Sequence, residues 1–421
     1  MSDDLFEIEL TAMAHGGSVL GRHGKQTIFI PYTIPGERVK ARITQDKGRI
    51  AFAEGVQLLE ASADRVYPRC PHFGPGRCGR CHWQHIATSV QPLLKQDILA
   101  DQLARVGGFD DAVIDAALRE IIPSPVEWGY NFHMTLEATP EGELGFPSAD
   151  GRGITLIEEC HILHPDLLAL YTTLDMDFSG LQRVRLQIGS DGETMLIFFV
   201  KSEEDAPELL IDLPTSINLL LPDNEPVNLI GQSHSQYVVG GRTFRATAGS
   251  DFRANVAALD RLAAEVRAAL QAKPGDAVLD LYAGIGLLSA FIAPDVRLLT
   301  VIESYPPAAT DADENLADFD NVDLIEGAVE DVLPTLEDDY AAAVLDPPSQ
   351  GLSTDMIDLL GAKPIPRLVY VSSDPATLAR DGARLAKHGY RLEQVQPFDL
   401  APQTYYIDAL AVFAHEDRKI F

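Results

Sequence analysis

The chain has 421 residues, 46% of them apolar, and carries 63 Asp and Glu against 33 Lys and Arg, a formal charge of -30. The length allows two or three domains. No run of eighteen apolar residues exists to span a bilayer, which speaks against a membrane partner. The opening Met1-Ser2-Asp3-Asp4 lacks the basic and apolar regions of an export signal, so a cytoplasmic, reducing location is expected, where cysteines serve metals or chemistry more often than disulfides. A strongly acidic chain is a poor phosphate binder on average, but the charge is uneven. Positions 20–95 hold twelve Lys/Arg and five acids, +7, which leaves -37 elsewhere. One basic region on an acidic body suits docking of a polyanion at one place, or an ordinary solvated surface.

In chain order, residues 5–60 read as about five short strands. Phe6, Ile8 and Leu10 alternate with polar neighbours, His15-Gly16-Gly17 and His23-Gly24 mark turns, and Thr27–Ile30 is a strand. Pro35-Gly36-Glu37-Arg38 leads into a strand with Val39, Ala41 and Ile43. So many strands in sixty residues predict a small closed barrel. Residues 61–90 hold three of the four cysteines, and a helix is expected from about Val90 to Val106. The stretch 120–240 mixes strands and loops with few signals besides Cys160. From about 250 helices and strands alternate. Leu259, Leu262, Val266 and Leu270 form one helical face, which Lys273-Pro274-Gly275-Asp276 is expected to end. Strands are predicted at Val278–Leu281, Leu298–Ile302, Val322–Ile325, Ala342–Leu345 and Leu368–Val371, with two more near the C-terminus. This pattern predicts a doubly wound α/β domain.

Asp280-Leu281-Tyr282-Ala283-Gly284-Ile285-Gly286-Leu287 joins an apolar strand to an apolar helix. Glycines at such a turn let the backbone approach a ligand closely. A dinucleotide fingerprint requires a third glycine, and position 289 is Ser. The acid before the turn favours a zwitterionic ligand over a pyrophosphate. Glu303, at the end of the next strand and 19 residues after Gly284, stands where a carboxylate accepts ribose hydroxyls. Asp346, with Pro347 and Pro348 fixing a rigid exit, falls at the carboxyl edge of the sheet. Together these features resemble class I S-adenosylmethionine methyltransferases. The resemblance implies that Asp280, Tyr282, Gly284, Gly286, Glu303 and Asp346 bind that cofactor, and Ser349 after the prolines argues against an exocyclic amine as target.

Cys70, Cys78 and Cys81, separated by seven and two residues, can join Cys160 in a four-sulfur site for either zinc or an iron–sulfur cluster. The N-terminal strands around Pro35–Arg38 look like a TRAM domain. The loop from Pro68 to Cys81, with Gly79 inside the Cys-x-x-Cys and Gln84-His85 after it, is similar to the cluster loop of the RNA uracil-C5 methyltransferase family. Its first spacer is longer than the family's usual five residues. The resemblance spans nearly the whole chain. It implies a [4Fe–4S] cluster on Cys70, Cys78, Cys81 and Cys160, and an rRNA or tRNA substrate docked through the basic 20–95 segment. The expected fold is accordingly α/β. A TRAM or OB-like β-barrel covers 1–60, a central α+β domain with the four-Cys site covers 61–245, and a Rossmann-like methyltransferase domain covers 246–421. A monomer is expected.

In that family a cysteine thiolate adds to uracil C6, C5 attacks the sulfonium methyl, and a carboxylate removes the C5 proton. The family's Ser-Cys-Asn/Asp-Pro motif reads Ser372-Ser373-Asp374-Pro375 here, so the nucleophile position is Ser373. Four cysteines in a cluster leave no thiol, and a hydroxyl hardly ionises near neutral pH without an adjacent base. The general base corresponds to Asp408 instead of Glu, a substrate-contacting glutamine to Arg253, an adenine-side aspartate to Ala328, and the arginine after Asp-Pro-Pro to Ser349. The first reading is a working RNA methyltransferase acting on uracil C5 or another atom. Asp408 is then the base, and Ser373 is a nucleophile or a polar contact. The alternative is a catalytically altered or inactive RNA-binding relative that keeps fold, cluster and cofactor site. A methyltransferase of small molecules or proteins is a third reading.

Overall fold

A computed structural model describes residues 5–205, 207 and 213–416. Among them no helix is long and apolar enough to cross a membrane. Strands β1 (Phe6–Met13), β2 (Val19–His23), β3 (Gln26–Ile30), β4 (Arg38–Asp46) and β5 (Ile50–Glu60) close into the expected barrel in the order β1-β2-β3-β5-β4. Alternation turns Ile8, Leu10, Ile28, Ile30, Val39 and Ala41 inward. The turn before β4 depends on Gly36, at φ 86°, and on Glu37, whose carboxylate is buried. Glu37 accepts the N–H of Ile34 at 2.9 Å and pairs with Arg65 at 2.6 Å. Burial raises its pKa, but Arg65 and the backbone donors outweigh burial and hold it below the usual carboxylate value.

Helices α1 (Gln91–Arg105) and α2 (Asp111–Ala117) follow the cysteine loop. Next come β6 (His133–Ala138), β7 (Leu144–Pro147), β8 (Ile154–Thr155), α3 (Pro165–Thr173), β9 (Arg183–Ile188), β10 (Thr194–Phe199), β11 (Thr215–Leu220) and β12 (Pro226–Ile230). These strands form one sheet in the order β12-β11-β10-β9-β6-β7-β8, antiparallel except for the β10–β11 pair. A hairpin follows, β13 (His234–Val239) and β14 (Arg242–Thr247), turning on Gly240-Gly241, both left-handed as a two-residue hairpin turn requires.

The C-terminal unit runs α4 (Leu259–Leu270), β15 (Ala277–Leu281), α5 (Leu287–Ile292), β16 (Leu298–Glu303), α6 (Pro306–Leu316), β17 (Val322–Glu326), α7 (Val329–Val332), β18 (Ala342–Leu345), α8 (Thr354–Ala362), β19 (Arg367–Ser372), α9 (Pro375–Lys387), β20 (Tyr390–Phe398) and β21 (Asp408–His415). Its sheet has the order β17-β16-β15-β18-β19-β21-β20. Helices cover both faces, so β15, β18, β19 and β21 are buried along their whole length, and the expected doubly wound α/β fold is present. The face Leu259, Leu262, Val266 and Leu270 of α4 is buried as predicted, but the helix stops at Leu270 on left-handed Gln271 (φ 53°), before Pro274-Gly275. Two packings cross the order of the chain. Leu99 and Leu103 of α1 and Ile114 of α2 join the core of the C-terminal sheet, and Trp83, Ile98 and Ile407 complete the core of the barrel.

Candidate functional site

Parallel strands β15, β16, β18 and β19 all end at one edge of the C-terminal sheet. Antiparallel β21 begins there, so its first residue joins their last ones. A cavity of about 770 Å³ opens at that edge, ample for a nucleoside-sized ligand. Asp280, Tyr282, Gly284, Glu303, Asp346, Arg253, Ser373 and Asp408 all line it. Gly286, expected among the ligand contacts, is not among the lining residues. A Cβ there would meet Leu316 of α6 at 3.0 Å, so this glycine serves helix packing at the N-cap of α5.

The turn after β15 is held by left-handed residues, Tyr282 at φ 62° and Gly284 at φ 57°. A Cβ on Gly284 would meet no protein atom within 4 Å, which leaves the backbone open to a ligand. Glu303 fixes this turn. Its carboxylate accepts N–H bonds from Gly284 at 2.8 Å, Ser304 at 2.8 Å and Tyr305 at 2.7 Å. Asp280 is fully buried. Ser289 Oγ donates to its Oδ2 at 2.5 Å, while Oδ1 has no partner. Burial pushes the Asp280 carboxyl up to about 7. An orphaned carboxylate oxygen lining a cavity is a ready acceptor for a cationic ligand group.

Arg253 links the two carboxylates at the other end. It grips Asp346 with both terminal nitrogens, at 2.6 and 2.8 Å, and its Nε lies 3.6 Å from Asp408. Burial opposes its charge, but Asp346 and Asp408 outweigh burial and raise its pKa. For Asp408 burial dominates and pushes the carboxyl up to about 6, against the pull of Arg253. Ser373 stands one residue beyond the last β19–β21 pair, Ser372 with Ala409. It is exposed, and its hydroxyl has no hydrogen-bond partner among the described residues.

The four cysteines line a different, smaller cavity together with Arg80, Gln84 and His161. The loop that brings them there is pinned to the end of β7, where Gly79 N–H donates to Pro147 O at 2.9 Å. A Cβ on Gly79 would lie 3.0 Å from that oxygen, which accounts for glycine inside the Cys-x-x-Cys. No disulfide joins the four thiols, and burial raises all their pKa values, that of Cys160 to about 12. Among the described residues no group of three or more His, Cys, Asp or Glu is placed to hold a metal ion.

Sequence reasoning missed several residues. Tyr305 hydroxyl donates to Asn224 O at 2.5 Å, which brings a loop of the central sheet to the cavity wall. His15, in the first barrel turn, lies 3.4 Å from Asp374, next to Ser373. Lys95 is fully buried on Asp399 at 2.6 Å. Only Lys95 carried a signal, as a lone cation on the apolar side of a predicted helix.

Residues 5–56 match the TRAM domain family. An uncharacterized RNA methyltransferase of Streptomyces avermitilis is 31% identical, with 97% of each chain covered. A 23S rRNA (uracil(1939)-C(5))-methyltransferase, RlmD, of Shewanella sediminis is 30% identical over 96% of this chain and 95% of that one. Among solved structures, a Pyrococcus abyssi tRNA (uracil-54, C5)-methyltransferase in complex with S-adenosyl-L-homocysteine superposes with a TM-score of 0.71 at 19% identity. The match covers 97% of this chain and all of that one, and it supports the fold. With near-complete coverage at such identity, an N-terminal TRAM barrel and the sheet order described above, the chain belongs to the RNA (uracil-C5) methyltransferase family, enzymes that use S-adenosylmethionine.

Proposed function

We propose that this enzyme transfers the methyl group of S-adenosylmethionine to a base of ribosomal or transfer RNA, and does so without a thiolate adduct to the base. The observation that carries the reading is the separation of sulfur from carboxylate. All four thiols of the chain line one cavity, and none lines the cavity that holds Asp280, Glu303, Asp346 and Asp408. Asp280 Oδ1 receives the ammonium of the cofactor, Glu303 its ribose hydroxyls, and the Gly284 turn approaches its backbone-facing edge. The base attacks the methyl carbon, the sulfonium–carbon bond breaks to release S-adenosylhomocysteine, and the displaced proton passes to Asp408. A carboxyl near pH 6 is well matched to that task. Among the described residues no base is hydrogen-bonded to Ser373, so it contacts the target ring as a neutral hydroxyl. Residues 1–60 dock RNA through the basic segment, 61–245 carry the sulfur site, and 246–421 carry the transfer chemistry.

We infer that Cys70, Cys78, Cys81 and Cys160 hold a [4Fe–4S] cluster. All four thiols of the chain line this one cavity, and four thiolates are the ligand set that such a cluster takes. A bound cluster supplies four iron–thiolate bonds and a redox-active centre. Iron and sulfide assays on anaerobically purified protein check this, and zinc in their place overturns it.

Transfer is tested by calorimetric titration with S-adenosylmethionine, then by incorporation of labelled methyl into rRNA and tRNA transcripts. The expected results are saturable binding, labelled RNA, and no covalent adduct with 5-fluorouracil RNA after denaturation. Absence of binding at millimolar cofactor removes the reading. A stable adduct removes its adduct-free part.

A further inference from the structure

The segment between β20 and β21, residues 399–407, ends at Asp408 and is gripped from outside the C-terminal sheet. The carbonyl of Gln403 accepts the N–H groups of His82 and Trp83, both at 3.0 Å, and these residues directly follow Cys81. The N–H of Gln403 donates to Gln91 Oε1 at 2.8 Å. Gln91 Nε2 returns a bond to Gln403 Oε1 at 3.0 Å and also donates to the carbonyls of Trp83 and Ile86. Tyr130 hydroxyl donates to Pro402 O at 2.7 Å, and Lys95 donates to Asp399 and to Ala401 O. The ring of His82 lies 4.3 Å from that of Tyr405, and a Cβ on Gly17 of the barrel would meet Tyr405 at 2.8 Å. Gln403 itself is 1% exposed at φ 69°, a left-handed setting that a residue other than glycine keeps only where its surroundings over-determine it. Neither Gln403 nor Gln91 lines the large cavity.

We propose that this grip is a positioning device, in which the cysteine loop and α1 set the backbone at Gln403 and thereby place Asp408 against the methyl-accepting base. Gln403 and Gln91 are positioning residues, and whatever the four thiols bind sets the two N–H donors that follow Cys81. The inference rests on the reading of Asp408 as proton acceptor. Asp408 faces Arg253, Asp346 and, on α1, Lys95, so its ionisation reports where it sits.

The test is hydrogen exchange across residues 399–407 in the full chain as purified with its metal centre, together with pH–rate profiles. Gln91→Ala and, separately, chelation of the centre are each expected to speed exchange at 403–406 by about tenfold or more. The turnover rate falls while cofactor affinity is retained, and the acid limb moves below about 6 as Asp408 gains water. Unchanged exchange and an unchanged limb in folded Gln91→Ala overturn the proposal. If that variant does not fold, the backbone decides. Gln403→Gly keeps the N–H, the carbonyl and the positive φ, so slow exchange persists, whereas Gln403→Val breaks the setting and exchange accelerates. Equal exchange in the two overturns the proposal. Full methyl transfer by Asp408→Asn instead removes the reading of Asp408 as base and leaves the exchange results to stand by themselves.

Discussion

On the function proposed above, cofactor capture turns on Asp280. One of its oxygens accepts from Ser289, and the other is buried without a partner in a residue that lines the cavity. A charge-assisted hydrogen bond contributes about 1.5–3 kcal/mol, so Asp280→Asn is expected to weaken S-adenosylmethionine binding by about 10- to 100-fold in calorimetry. Because burial pushes this carboxyl up to about 7, the wild-type affinity falls as pH drops through that value. Stability runs the other way in the ligand-free chain. Folded Asp280 and Asp408 keep protons that the unfolded chain releases near pH ~4, so their contribution is complete below about that pH. It is lost as pH rises through about 6 for Asp408 and about 7 for Asp280. Melting temperatures with and without cofactor should therefore diverge toward neutral pH, and a constant gap would contradict the assignment. Arg253 makes a matching prediction. It pulls Asp408 down more than Lys95 does, so Arg253→Gln moves the acid limb of the pH–rate profile above about 6, whereas a structural role alone would leave the limb in place.

At the scale of elements, α1 is a strut. It presents Leu99 and Leu103 to the C-terminal core and Ile98 to the barrel core, and it buries Gln91 and Lys95 against the segment that precedes β21. Burial lowers the Lys95 pKa, and Asp399 opposes that shift. Removing one partner of a buried pair costs about 3–5 kcal/mol, because the other charge stays behind. Lys95→Met should lose that much in urea unfolding, and the double change Lys95→Met with Asp399→Leu should recover most of it. A double variant no better than the single one would place the cost in packing instead. Helix α1 was expected from about Val90 to Val106, and its ends at Gln91 and Arg105 fall within a residue of that. Its buried polar side chains take their partners from residues some three hundred positions away, a relation that periodicity does not encode. The strands of the central sheet were not legible. They are two to six residues long, and their order β12-β11-β10-β9-β6-β7-β8 follows from pairing across long loops.

For the whole molecule, charge is distributed by purpose. In the basic segment Arg38, Arg42 and Arg65 pair with Glu60, Glu54 and Glu37, and so reinforce the barrel. Arg22, Lys25, Lys47 and Arg49 lie exposed on its strands and turns, where a phosphate backbone can reach them. Replacing Lys47 and Arg49 with Ala should reduce the slope of log affinity for RNA against log salt by about 1.5 and leave cofactor binding intact. An unchanged slope would move the RNA path off the barrel.

The barrel, the doubly wound unit and the glycine turn were determined by the sequence alone, because alternation, helical spacing and a strand–turn–helix junction are local properties of consecutive residues. The carboxylates Asp280 and Glu303, proposed to hold the cofactor, belong to that class. Tertiary structure decided the rest. It brought Arg253 between Asp346 and Asp408, gathered all four thiols away from them, turned Gly286 toward α6, and suspended the strand of Asp408 from the cysteine loop through Gln403. Those outcomes depend on which distant surfaces exclude water from one another, and only the folded chain settles that.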